Sequence, residues 1–197
     1  MELIRRGIRH RLGMICQKAN TPSYYTAFLR ELHSIGNNAG NRDAVAAFHQ
    51  RVLTEVISQV TPLMKSQNQF YVRLQLTQLL GELNHASDLV KPDEPAKPFE
   101  PAAPLLIQVL ATPQEPLAIK VTAVNGLRRI LGNCELDAAS RVKVGETLVS
   151  ELKDPTTHDW YQSRVVQTMA VLDLSNSSHD NDPFVVNALE SVVADEK

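Results

Sequence analysis

The sequence predicts an all-α protein built from about four stacked helical pairs, with about nine helices in all. Apolar residues recur at helical spacing along most of the chain, which is the main sequence signal for amphipathic helices. A similar helical pattern also occurs three times, at residues 69–83, 119–130 and 163–174. The basic residues Arg73, Lys120 and Arg164 open the three copies, 47 and 44 positions apart. A period of this size is typical of helical-pair repeats, in which each pair covers the apolar face of the next.

The composition agrees with helix-on-helix packing. Hydrophobic residues make up 43% of the 197 residues, which is enough for a core, but aromatic residues only 5%. The core must therefore consist mostly of Leu, Val, Ile and Ala. The net charge of -2 gives no general attraction to nucleic acid or to anionic membranes.

The sequence predicts a cytoplasmic protein without a membrane span. No apolar run approaches the roughly 20 residues that cross a bilayer. Charged residues interrupt the N-terminus too early for a signal peptide. The chain starts and stops within helical patterns, so a segment of a larger protein, with a signal peptide already removed, is the alternative.

Residues 1–41 predict an N-terminal pair of helices that caps the stack. The first helix, 2–18, has one apolar face, and the second, about 22–35, ends at a Gly- and Asn-rich loop. The basic residues of the first helix are Arg5, Arg6, Arg9, Arg11 and Lys18, against one acidic residue. A solvated polar face is the favoured interpretation of this charge, and contact with phosphate or an anionic surface is the alternative.

The third helix is predicted to run to about residue 65 and the fourth over 69–84. Asp43 or Asn41 can cap the third helix, and Pro62 should bend or end it. One row of its expected core positions is spaced by four residues: Ala44, Phe48, Val52, Val56 and Val60. Val45, Leu53 and Ile57 are expected to widen this face.

Residues 85–104 predict a proline-rich loop between the helices. The prolines recur every three residues, at Pro92, Pro95, Pro98, Pro101 and Pro104. This spacing disfavours helix and favours extended backbone. We interpret the segment as a semi-rigid loop outside the stack, held by Phe99; a Pro-x-x-Pro ligand for an aromatic groove is the alternative.

The remaining chain predicts two further helical pairs and an unpaired last helix. Asp137 should cap one helix, and Asp154-Pro155 should form a sharp turn. The predicted helices cover residues 104–111, 116–132, 138–153, 159–174 and a last stretch beginning at Pro183.

The second helices of residues 42–197 resemble HEAT repeats, including the HEAT-like type first noted in phycobilin lyases. The family's second helix typically reads Val-Arg-x-x-Ala-Ala-x-Ala-Leu-Gly-x-Leu. The best match consists of Val72, Arg73, Leu79, Leu80, Gly81 and Leu83. The resemblance implies a right-handed α-α superhelix, a HEAT-like solenoid, in which 42–197 form one continuous domain after the N-terminal pair.

The resemblance also implies a ladder of ion pairs, in which the Asp of each turn meets the Arg of each second helix. Asp154 is the one good turn Asp in this chain, and Lys120 replaces one Arg. Lys lacks the bidentate geometry of Arg, so the ladder is expected to be incomplete.

Sequence motifs for catalysis are missing. There is no Gly-rich phosphate loop, nucleophile elbow or zinc-binding His pair. The six histidines are scattered, and each is expected at the surface or at a helix end. We therefore predict no enzyme activity, no cofactor and no metal site.

The predicted function is that of a scaffold or adaptor, whose second helices offer a concave surface to a protein or peptide. Polar residues opposite the core are what a partner could reach. The expected partner-binding residues are Arg73, Gln78, Lys120, Asn125, Arg128, Arg164 and Gln167. The identity of the partner and the oligomeric state are open.

The rival hypothesis is a nucleic-acid-binding protein, or a base-excising enzyme of the HEAT-like DNA glycosylase type. It would use Asp159, Trp160 and Arg164 in a basic groove. The other interpretation is that Asp159 stabilises a helix N-terminus while Trp160 packs between repeats. The chain lacks the strong positive charge that phosphate binding needs, and this favours the scaffold.

Overall fold

All regular structure in the described part of the chain is helical. The computed structural model describes residues 2–17, 21–35, 41–65, 69–85, 96–154, 158–172 and 184–195. These contain nine α-helices, and their one β-type contact is an isolated bridge between Asn84 and Pro98. The helices are α1 (Glu2–Ile15), α2 (Thr21–Ser34), α3 (Arg42–Lys65), α4 (Phe70–Glu82), α5 (Ala103–Leu110), α6 (Leu117–Asn133), α7 (Ala138–Leu152), α8 (Asp159–Leu172) and α9 (Phe184–Asp195).

The prediction of an all-α protein with about nine helices is confirmed. No helix among the described residues is both long and apolar enough to cross a membrane. The chain divides into two compact units, Met1–Ala102 and Ala103–Lys197. The predicted boundary between residues 41 and 42, the continuity of the solenoid and its handedness stay predictions.

The first unit is two helical pairs, one packed on the other. Helices α1 and α2 form one pair and α3 and α4 the next, with α1 against α3 and α2 against α4. Fully buried aliphatic side chains fill the space between them, including Ile15, Val56, Leu76 and Leu79. Each helix presents one apolar stripe, so a pair alone would leave part of its apolar surface in water.

The second unit repeats the same arrangement. Helices α5 and α6 form one pair, α7 and α8 the next, with α5 against α7 and α6 against α8, and α9 packs on α7. Its core includes the fully buried Leu106, Ile119, Leu127, Leu148 and Val165. First helices thus contact first helices, and second helices contact second helices, in both units.

Two helices begin at capping residues that the sequence predicts. The Asp137 carboxylate accepts the backbone N–H of Ser140 at 3.0 Å, and the Asn41 side chain accepts that of Ala44 at 3.1 Å. Both satisfy backbone donors that a helix N-terminus leaves without a partner. Pro62 does not end α3, which continues to Lys65.

The row of core positions predicted on α3 is wrong at its N-terminal end, whereas Val45, which is expected to widen the face, does lie in the core. Phe48 is 44% exposed, whereas Val45 and His49 are buried. An α-helix has 3.6 residues per turn, so a row of residues spaced by four drifts by about 40° at each step. The row holds from Val52 to Val60 and has rotated out of the core by Phe48.

Phe99 anchors the end of the proline-rich segment, as expected. Its side chain is fully buried, and its backbone N–H donates to the Leu83 carbonyl at 2.9 Å. The His85 N–H donates to the Lys97 carbonyl at 2.9 Å. Residues 86–95, half of the predicted extended stretch, lie outside the described residues. The end of the stretch is not extended, because Glu100–Ala102 form a 3₁₀ helix and Pro104 lies in the first turn of α5.

We expect Phe99→Ala to lower the free energy of unfolding of the first unit by about 3–5 kcal/mol, the usual cost of deleting a buried aromatic ring. Urea unfolding followed by circular dichroism measures this. Phe70→Ala is the control, because Phe70 is 49% exposed. Equal losses in the two variants would contradict an anchoring role for Phe99.

Candidate functional site

Four of the predicted partner-binding residues lie together on α6 and α8. Arg128 donates from Nη1 to Gln167 Oε1 at 2.9 Å, which joins the two helices. Asn125 lies one turn before Arg128, and Arg164 one turn before Gln167, and all four side chains are exposed. We call these four residues, together with Trp160, the α6–α8 surface.

Trp160 is the aromatic member of this surface. It lies one turn before Arg164 on α8 and is 53% exposed, so it does not pack between repeats as one interpretation held. Its ring meets the buried Tyr161 ring edge-on, with centroids 6.4 Å apart. Asp159 is the exposed first residue of α8, where a carboxylate interacts favourably with the helix dipole.

Arg73 and Gln78 belong to α4 in the first unit, and both are half-buried. Arg73 donates to the Met64 carbonyl at 3.2 Å. Gln78 donates to Glu82 at 2.9 Å, and the other oxygen of Glu82 accepts from Tyr25. These side chains therefore contribute to packing within their own unit.

Lys120 lies inside the second unit, so we remove it from the partner-facing set. Its side chain is 7% exposed, and its Nζ lies 2.7 and 3.0 Å from the two carboxylate oxygens of Glu151. The Tyr161 hydroxyl donates to Glu151 Oε2 at 2.7 Å. A buried ammonium requires such a partner because its desolvation is costly.

The partner of Lys120 is thus on α7 itself, not at the turn Asp that the family resemblance implies. Sequence reasoning missed Glu151 and Tyr161. Glu151 lies between Leu148 and Leu152 on the buried face of α7, and a carboxylate at an apolar position was the available signal. Which cation Glu151 meets depends on how the α5–α6 pair packs against the α7–α8 pair.

We expect Glu151→Gln to lower the free energy of unfolding by about 3 kcal/mol, because it leaves the Lys120 ammonium buried without an anion. The double variant Lys120→Met/Glu151→Leu should lose much less, since it removes both charges together. Urea unfolding of the variants tests this. The expectation fails if the double variant loses at least as much free energy of unfolding as Glu151→Gln does.

The basic α1 helix is held by acidic residues of its neighbours. Arg5 contacts Glu55 on α3 with Nε–Oε1 at 3.0 Å, and Arg11 forms a two-pronged contact with Glu31 on α2. Much of its charge therefore fixes α1 within the first unit. This arrangement favours the structural interpretation of the basic helix.

Three histidines that are far apart in sequence share one neighbourhood of the first unit. His33 ends α2, His49 lies on α3 and His85 follows α4. His33 is 3.2 Å from the Asn84 amide, and His85 Nε2 is 2.6 Å from a carboxylate oxygen of Glu100. No spacing in the sequence predicts that these three histidines come together.

His49 is buried, which corrects the expectation that every histidine lies at the surface or a helix end. Its Nε2 is 2.9 Å from the Leu32 carbonyl, one of the last carbonyls of α2. A carbonyl only accepts, so Nε2 carries the hydrogen. Burial lowers the pKa of His49, and His33 and His85 lower it further, while the bond to Leu32 acts in the opposite direction.

Because the folded-state pKa of His49 lies below its unfolded value of about 6.5, the unfolded chain binds the proton more readily. The contribution of His49 to the free energy of unfolding is therefore fully present above about pH 6.5 and falls as the pH drops, by at most about 1.4 kcal/mol per pH unit for one proton. We expect His49→Gln to flatten this dependence between about pH 5 and 7. Urea unfolding at several pH values measures how the free energy of unfolding depends on pH.

His10→Gln is the control for that series, because His10 is exposed on α1. Glu55 and Glu100 have lowered pKa values, so their contributions are lost at more acidic pH and are common to all variants. Identical slopes for the wild type and His49→Gln would show that His49 does not govern this pH range.

Within the described ranges, no group of three or more His, Cys, Asp or Glu side chains is arranged to hold a metal ion. Cys16 and Cys134, which both lie in the described part of the chain, form no disulfide. No family model matches this chain, and no curated protein or solved structure is significantly similar to it.

Proposed function

We propose that this protein is a non-catalytic scaffold or adaptor, a HEAT-like α-solenoid whose second helices present a concave surface to a protein or peptide. The observation that supports this most is the α6–α8 surface. It lies on two second helices that pack side by side, and its polar side chains are exposed. Four of its five members are residues that the sequence nominated for partner binding.

The composition of the α6–α8 surface supports protein recognition. Trp and Arg are the residue types that most often dominate binding energy at protein interfaces. Here Trp160, Arg164 and Arg128 lie on adjacent turns of two contacting helices. The Arg128–Gln167 hydrogen bond restrains two of the side chains before a partner arrives, which lowers the entropy cost of binding.

Charge favours a peptide over a nucleic acid as the occupant. Arg128 and Arg164 are offset by Asp159 at the start of α8, and the whole chain has a net charge of -2. A nucleic-acid site needs several cations to displace counterions from phosphates. A neutral or mildly acidic peptide, which contacts Trp160 with an apolar side chain, fits this balance better.

We expect peptides selected against the purified protein from a random display library to depend on this surface. Trp160→Ala/Arg164→Ala should weaken their binding at least tenfold, as is typical of truncated hot-spot residues. Fluorescence anisotropy of the labelled peptides measures the dissociation constants. The same titrations include a labelled DNA duplex and a single strand, at low and physiological salt.

The matched control is Phe48→Ala/Lys143→Ala, which removes one exposed aromatic and one exposed cation outside the α6–α8 surface. This variant should bind the selected peptides like the wild type. Peptides that are insensitive to Trp160 and Arg164 would overturn the proposed surface. DNA binding that survives physiological salt and is lost on Arg164→Ala would replace the scaffold with the nucleic-acid hypothesis.

A further inference from the structure

A cavity of about 680 Å³ lies between α1 and α3 in the first unit. This volume is within the range of roughly 300–1,000 Å³ that small-molecule sites occupy. The cavity lies in a different unit from the α6–α8 surface, and nothing in the proposed function uses it. Its walls separate into a polar end and an apolar end.

The polar end has an excess of one positive charge. Arg5, Arg9 and Glu55 line it, so two cations face one anion. Glu55 is already engaged, because Arg5 donates to both of its oxygens, at 3.0 and 3.4 Å, and Gln59 donates to Oε1 at 2.9 Å. These bonds and the charges of Arg5 and Arg9 hold the pKa of Glu55 below its usual value.

Arg9 is the cation that remains available. It is exposed, and within the part of the chain that the structure describes it forms no ion pair. Gln59 also bonds the Arg5 carbonyl at 3.0 Å, so the neighbouring Arg5–Glu55 pair is held between the two helices. A guanidinium next to a fixed, satisfied pair is suited to bind one carboxylate through two parallel hydrogen bonds.

The other end of the cavity is apolar. Leu12, Cys16, Pro62 and Leu63 line it. Burial raises the pKa of the Cys16 thiol, which stays neutral and behaves as a small apolar group. A Cβ added to Gly13 would meet no atom within 4 Å, so this position leaves the cavity open.

We propose that the α1–α3 cavity binds an amphiphilic monocarboxylate, with its carboxylate on Arg9 and its apolar body along Leu12, Gly13 and Leu63. One net positive charge matches a single negative charge, and the apolar end matches a hydrocarbon body. The contact area for the body supplies the hydrophobic part of the affinity, and Arg9 selects the charge.

Decanoate is the probe, compared with 1-decanol and decylamine, which have the same tail with no charge or the opposite charge. Titration calorimetry measures affinity, and amide chemical shifts of the labelled protein locate the site. We expect decanoate to bind most tightly and to move the amide signals of Gly13, Cys16 and Gln59. Arg9→Ala should weaken decanoate binding by at least about tenfold, because it removes both charge-assisted hydrogen bonds of the guanidinium, and should leave 1-decanol binding unchanged.

Matched variants on the same helix test the two ends of the cavity separately. Gly13→Leu should abolish binding by filling the cavity, whereas Gly7→Leu should not, although a Cβ at Gly7 also meets no atom within 4 Å. Arg6→Ala is the charge control for Arg9→Ala, because Arg6 is exposed and does not line the cavity. If Gly13→Leu does not fold, the amide chemical shifts and the comparison of Arg9→Ala with Arg6→Ala still test the proposal.

Three results would overturn the proposal. The first is decanoate binding that is absent, or equally tight in Gly13→Leu. The second is equal affinity for decanoate and 1-decanol with no effect of Arg9→Ala. The third is a wild-type dimer, seen by light scattering, that Gly13→Leu but not Gly7→Leu dissociates, because the cavity would then hold a second copy of the chain.

Discussion

Burial of the apolar stripe that each helical pair leaves uncovered is the constraint on which the rest of the structure depends. In both units the first helices pack on each other and so do the second helices. This requires aliphatic side chains at the contacts, and Leu, Val, Ile and Ala dominate the buried set. The sides of the second helices that point away from the core need no apolar residues, and the α6–α8 surface lies on such sides.

The same packing dictates what buried polar groups must do. Lys120 is buried on α6, where its ammonium pairs with Glu151 of α7, and Glu151 also accepts a hydrogen bond from the Tyr161 hydroxyl of α8. His49 enters the first unit and bonds the end of α2. In each case a buried polar side chain of one helix bonds a polar group of a neighbouring helix. Such contacts fix which helices are neighbours and in what register.

The two proposed sites arise from helix packing of two different kinds. The α6–α8 surface arises where two helices pack closely and present exposed side chains in adjacent rows. The α1–α3 cavity arises where two helices pack less completely, beside Gly13 on α1 and Pro62 on α3. A large partner suits the first and a small amphiphile suits the second, because one is a surface and the other a cavity.

The sequence by itself determined the helices, their approximate ends and the pairing of neighbours in the chain. Apolar spacing and the Asp137 and Asn41 caps are local features, and local physics is enough to predict them. It also nominated Asn125, Arg128, Arg164 and Gln167, since helical period alone shows which residues lie opposite the core.

Only the tertiary structure decided which distant residues meet. The Arg128–Gln167 and Lys120–Glu151 contacts, the approach of His33, His49 and His85, and the cavity beside Gly13 join residues from different helices. Helical period places a side chain on a face, but the rotation and offset of one helix on another decide what that face touches. For that reason Lys120 and Arg164 occupy similar positions in the repeat pattern, yet one is buried in an ion pair and the other is exposed.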